Sequence, residues 1–81
     1  PQDLDAERAV LGTAIMRPHL VLDLERILAP GDYYLPSHSA IYEALLDLAE
    51  RGVPIDLLTL EARLAERGEL TAIGKENLVA L

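Results

Sequence analysis

Arg51-Gly52-Val53-Pro54-Ile55-Asp56 closes one leucine-rich segment, turns the chain and opens the next. Gly52 suits the left-handed residue just past a helix C-terminus, and Pro54 cannot continue the preceding helix. Asp56 offers a side-chain acceptor to the free N–H groups of a helix beginning at Leu57. These six residues predict a helical hairpin. An extended reading of the apolar run from Val53 to Leu60 conflicts with Pro54 and Asp56 near its start, and no second strand is available to pair with it. Leu-Ala-Glu-Arg-Gly, which ends the first helix at 48–52, recurs at 64–68. The recurrence predicts the same helix stop at Gly68, although two copies are too few for a solenoid.

Outward from the hairpin, five helical segments are expected. The first spans about Leu4–Met16, with Asp3 as N-cap and Asp5 and Glu7 in its electropositive first turn. Leu4, Leu11 and Ile15, flanked by Val10 and Ala14, form its expected core stripe, and Gly12 calls for a close helix crossing. Pro18 starts the second, about His19–Leu28, with Leu20, Leu24, Ile27 and Leu28 inward. Pro30-Gly31-Asp32 is turn chemistry. Tyr33 and Tyr34 are expected to lie across a hydrophobic gap, with at least one hydroxyl reaching water or a carbonyl. The third and longest helix, Ser37–Arg51, is capped by Ser37 and buries Ile41, Ala44, Leu45, Leu48 and Ala49. The fourth, Leu57–Arg67, turns Leu57, Leu60 and Leu64 inward. The last, about Lys75–Leu81, stops in mid-pattern, as expected of a fragment of a longer chain. The fold class expected is all-α: one domain over residues 1–81, a small orthogonal bundle of about five helices with short capped turns.

Composition narrows the function. At 81 residues the chain is near the size where burial only just offsets conformational entropy, and a 51% hydrophobic content compensates. The absence of cysteine excludes disulfides and thiolate zinc sites and fits a reducing cytoplasm. No apolar run approaches the roughly 18 residues of a membrane span, and no signal peptide leads the sequence. A soluble cytoplasmic protein is expected. The net charge of −7 opposes a phosphate surface, so no direct binding of nucleic acid is expected.

Candidate chemistry is sparse. Gly74-Lys75 suggests a phosphate loop, but GxxxxGK[ST] requires glycine at 69 and Ser or Thr at 76, where this chain has Glu69 and Glu76. His38 and Tyr42 share a helix face and Asp32 is near in sequence, so a metal or acid–base site can be drawn there. With His19 in another helix, the two histidines do not make a ligand set, and His38 reads better as a hydrogen-bonded structural residue. Asp56 reads as a cap rather than a catalytic carboxylate. No catalytic, cofactor or metal site is expected, and the domain is not expected to be an enzyme. Asp47, Glu50, Glu61, Glu66 and Glu69 are read as exposed. Together with Asp3, Asp5 and Glu7 they form either a solvating surface or, more sharply, a dock for a basic partner protein.

A resemblance favours the second reading. Asp5-Ala6-Glu7-Arg8-Ala9-Val10-Leu11-Gly12 resembles the opening helix of the N-terminal domain of DnaB-type bacterial replicative DNA helicases. The likeness continues in order through Pro30-Gly31-Asp32-Tyr33-Tyr34, His38, Ile41-Tyr42, the hexapeptide 51–56, Leu60, Leu64, Gly68, Ile73-Gly74 and Leu78. It covers essentially the whole chain. No single piece is specific; the ordered series is. Lys75 departs from it, replacing a glycine common in the family. The resemblance implies a helical collar domain in a hexameric ring, docked by the C-terminal helicase-binding domain of a primase. It also implies a following helical hairpin that makes dimer contacts and a separate ATPase motor domain that holds ATP and Mg, both outside this chain. Asp5 and Glu7 are the expected partner-docking residues, and Asp3, Gly52, Pro54, Asp56 and Gly68 the structural caps and turns. A free-standing acidic docking module is the alternative.

Overall fold

The structure, a computed structural model, describes residues 3–81. Helix α1 (Leu4–Met16) is followed by a 3₁₀ turn (Pro18–Leu20), α2 (Val21–Glu25) and a second 3₁₀ turn (Pro30–Asp32). Then come α3 (Pro36–Glu50), α4 (Leu57–Glu66), α5 (Leu70–Ile73) and α6 (Lys75–Val79). No strand occurs among the described residues, and no helix is long and apolar enough to cross a membrane. The fold is all-α, with six α-helices among the described residues rather than five: the four-residue α5 has no side-chain cap or amphipathic period that a sequence pattern could register.

Helix α3 is the hub. It packs against α1, α2 and α4, while α5 and α6 close over α4. Ile41, Ala44, Leu45 and Leu48 are buried as their spacing predicts, but His38, Tyr42 and Leu46 are buried too, so α3 is enclosed on more than one face. Leu11 and Ala14 of α1, Val21 of α2, Leu60 and Leu64 of α4, Ile73 of α5 and Leu78 of α6 complete the core.

Both helix stops have the same hydrogen bonds. Gly52 N donates to Ala49 O at 3.1 Å and Val53 N to Leu48 O at 2.9 Å; Gly68 N donates to Ala65 O at 3.0 Å and Glu69 N to Leu64 O at 2.9 Å. The two glycines have φ of 71° and 73°, the left-handed geometry of a Schellman cap. At the start of α4, Asp56 accepts from Thr59 N at 2.8 Å, while Asp56 N donates to Thr59 Oγ1 at 3.0 Å. Thr59 also donates to Pro54 O at 2.8 Å, which ties the proline turn to the cap.

Several expectations are corrected. Ser37 does not cap α3: Pro36 takes the first helical position, so Leu35 is the N-cap and contributes no side-chain acceptor. Helix α2 ends at Glu25, and Ile27 is 80% exposed while Val21 is buried. The 3₁₀ turn at Pro18–Leu20 leads Val21 onto the buried face, Leu24 and Leu28 pack against the core as expected, and Ile27 lies beyond the end of the helix. Leu4 and Leu57 sit on the first positions of their helices and lie partly in solvent, at 38% and 40% exposure. Tyr33 is buried but Tyr34 is exposed. Gly12 faces a close approach, though of the chain after α6 rather than of a crossing helix: a Cβ there would lie 3.1 Å from the Leu81 carbonyl carbon.

Replacing Asp56 by Ala should lower stability by about 0.5–2 kcal/mol. Gly52→Val should also destabilise, because a β-branched residue disfavours positive φ. Urea denaturation of the two variants against the parent checks both.

Candidate protein-docking surface

The start of α1 brings together the acids that the sequence groups. Asp3 Oδ1 accepts from Ala6 N at 3.0 Å, so its charge satisfies an orphan amide. Asp5 is exposed, with 84% of its side chain accessible, and pairs with Arg8 one turn on. Glu7 does not face solvent. Only 15% of its side chain is accessible, Oε1 lies 2.8 Å from His38 Nδ1, and Oε2 accepts from Tyr34 N at 2.6 Å. The expectation that Glu7 stands beside Asp5 as a free docking charge is therefore corrected.

The Glu7 carboxylate instead occupies the entrance to α3, a helix whose own N-cap supplies no acceptor. Burial pushes the Glu7 carboxyl up, but the Tyr34 amide, the His38 ring and the Leu35 amide outweigh it and hold the carboxyl below its ordinary value. The imagined Asp32–His38 site does not form: His38 is bound to Glu7, and Asp32 Oδ2 accepts from Ala29 N at 2.8 Å, closing its own turn.

Two depressions flank the exposed pair. One, about 340 Å³, lies between Asp5 and Arg8 of α1, Ser37 and His38 of α3, and Asn77 of α6. The other, about 740 Å³, runs along the outer face of α1 past Gly12, Thr13 and Met16 to Leu81. Asp5 and Arg8 border both, and form the ridge between them.

The other acids are mostly spent within the fold. Asp47 of α3 pairs with Arg51 at 2.9 Å and with Arg63 of α4, and Arg67 reaches Glu43 at 2.9 Å and Glu69 at 2.8 Å. The Arg63 hydrogen bond holds the Asp47 carboxyl below its ordinary value against the opposing effect of burial, with Arg51 assisting. This ladder fastens α3 to α4, so Asp47 and Glu69 are not free acids. Nothing in the sequence orders these pairs beyond the i,i+4 spacing of Asp47 and Arg51.

The sequence profile of the DnaB-like helicase N-terminal domain matches residues 1–81. The chain belongs to that family. Among its relatives, the replicative DNA helicase DnaB of Mycobacterium leprae is 45% identical over 91% of this chain, and that of Geobacillus stearothermophilus is 42% identical over the same share. The chain spans only 12% and 16% of those relatives' lengths. The crystal structure of the N-terminal domain of DnaB helicase from Mycobacterium tuberculosis superposes with a TM-score of 0.93 at 43% identity, covering 99% of this chain and 56% of that one. The all-helical architecture and the resemblance read from the sequence both agree with these matches.

Two outcomes test the site's energetics. Glu7 is a carboxylate with a depressed folded pKa, so its stabilisation is complete well above its ordinary value of 4.5 and is lost as pH falls through the lower folded value. The melting-temperature gap between parent and Glu7→Gln should accordingly be widest near neutral pH and shrink on acidification below about 4.5. The Tyr33 hydroxyl is buried with no hydrogen-bond partner among the described residues, so Tyr33→Phe should be neutral or up to about 1 kcal/mol stabilising in urea denaturation.

Proposed function

We propose that this domain is the non-catalytic N-terminal part of an ATP-dependent replicative DNA helicase that works in DNA replication, and that it acts by binding proteins. Its partner is the C-terminal helicase-binding domain of a primase, and other helicase subunits hold it in a hexameric collar. ATP and Mg belong to a motor domain elsewhere in the parent protein, which acts in the cytoplasm. The domain itself does not bind DNA: a net charge of −7 opposes the counterion-release contribution that drives such binding.

The observation that carries the docking reading is the Asp5–Arg8 ridge. It stands exposed between two depressions on a face where the neighbouring acid, Glu7, is already committed to the fold. An exposed charge at a helix N-terminus steers a basic partner at little cost to the fold, since exposed ion pairs contribute only about 0–1 kcal/mol to stability.

Reversing Asp5 to Lys should weaken binding of a primase C-terminal domain and flatten its salt dependence, with the melting temperature nearly unchanged. Calorimetry at low and high salt reads the first two and circular dichroism the third. Unchanged affinity with the fold intact would move the docking face elsewhere. Glu7→Lys is no control for this experiment, because it attacks the fold.

A further inference from the structure

The first two turns of α1 are attached to the domain in an unusual way. From Leu4 to Ala9 every residue except Glu7 is exposed, and apolar anchoring begins only at Val10 and the fully buried Leu11. What holds these turns down is a polar clasp: Glu7 Oε1 to the buried His38 ring, and Glu7 Oε2 to the amide of Tyr34, 27 residues away in sequence. Beside the clasp, Leu4, 38% exposed, and Leu35 line one depression, so the two segments meet along a thin apolar edge as well.

We propose that the first two turns of α1 and the Tyr34–Leu35 segment form a latch that opens as one unit, smaller than the whole fold, when Glu7 lets go. The coupling follows from the charge. If α1 unwinds from its start, the Tyr34 amide loses its acceptor. If Tyr34 moves first, a carboxylate with only 15% of its side chain in water is left with the His38 ring, and a partly desolvated charge stripped of partners is costly. Neither half gains by opening alone, whereas opening both admits water to all three groups at once. The Tyr33 hydroxyl favours the same event. It is buried beside this clasp, with its ring in edge contact with His38 at 6.4 Å and no hydrogen-bond partner among the described residues, and opening would hydrate it. Beyond the latch the fold is secured independently by Leu11, Ala14 and the centre of α3, so it need not follow. If the docking reading is right, the Asp5–Arg8 ridge rides on the latch and is dismantled when it opens. The latch itself does not depend on that reading, and its test requires no partner.

Amide hydrogen exchange under native conditions on the 81-residue chain tests the latch. The amides of residues 6, 7 and 34 should exchange through one opening with a common, small denaturant dependence, while Leu45 in α3 exchanges only by global unfolding. Ile41→Val, a mild core change, should speed exchange at Leu45 and leave residues 6, 7 and 34 unchanged. Asp3→Ala, which removes the cap of α1 and leaves Glu7 in place, should speed exchange at residues 7 and 34 by the same factor, roughly two- to thirtyfold. Because Glu7, the acceptor of the Tyr34 amide, is untouched in that variant, faster exchange at residue 34 reports an opening transmitted through the clasp. Unequal factors at residues 7 and 34 would mean independent fraying and overturn the latch. An Ile41→Val effect shared equally by all four amides would mean one cooperative unit and overturn it as well.

Discussion

Burial of α3 on several sides governs this structure. An isolated amphipathic helix hides one stripe; α3 hides His38, Ile41, Tyr42, Ala44, Leu45, Leu46 and Leu48, because α1, α2 and α4 all pack against it. The polar side chains on the enclosed faces of such a helix, His38 and Tyr42, must find partners inside the fold. Tyr42 donates its hydroxyl to Leu28 O at 2.7 Å and thereby positions the turn after α2. His38 takes Glu7 and thereby positions the start of α1. The two polar residues of the core are the points at which α3 dictates where its neighbours lie. Tyr33, tilted against Tyr42 with ring centroids 5.0 Å apart, is the member of the cluster whose hydroxyl is left without a partner.

What was legible in the sequence was chiefly what is decided locally. The two Leu-Ala-Glu-Arg-Gly stops, the Asp56 cap and the Asp3 cap rest on hydrogen bonds among residues within five positions of one another, so residue type and order carry the information. The leucines at 60 and 64 were legible for the related reason that α4 has one buried face and a clean period. Register was legible only in part where a non-α turn came first. After the 3₁₀ turn at Pro18, Leu24 and Leu28 pack against the core as their spacing predicts, but Val21 joins them, and Ile27, beyond the end of α2, is exposed. Pro36 was a visible signal against a Ser37 cap, since proline at the first helical position makes the residue before it the cap.

The charged surface shows the limit of local reading more sharply. Asp47, Glu43 and Glu69 pair with arginines from a second helix, and membership in that ladder depends on how α4 lies against α3, which no single-helix pattern encodes. Counting acids gives the net charge correctly but overstates how many are available to a partner. The ladder is only partly shielded from water, its side chains being 19–57% accessible, so it adds modestly to stability pair by pair, but each acid held in it is withdrawn from the set that could steer a basic protein.

Asp5 and Glu7 are the instructive case, because here the sequence did contain the missing distinction. Residues two apart on a helix are separated by roughly 200° about its axis, so they point to opposite sides. Leu11 and Ala14 fix the buried side of α1, and Glu7 lies one turn before Leu11 on that same side, whereas Asp5 does not. Treating both acids as one exposed cluster ignored the period that had been used to place the leucines. Applied to the carboxylates, it makes Glu7 a half-buried acid in search of a donor and Asp5 an exposed one, paired only with Arg8 of its own helix. Of the two histidines, His38 lies in the longest helix, at its start, where a carboxylate arriving from another segment satisfies both a ring nitrogen and an orphan amide. A half-buried acid on one helix and a buried histidine at the entrance of another thus specify a long-range contact that neither helix reveals by itself.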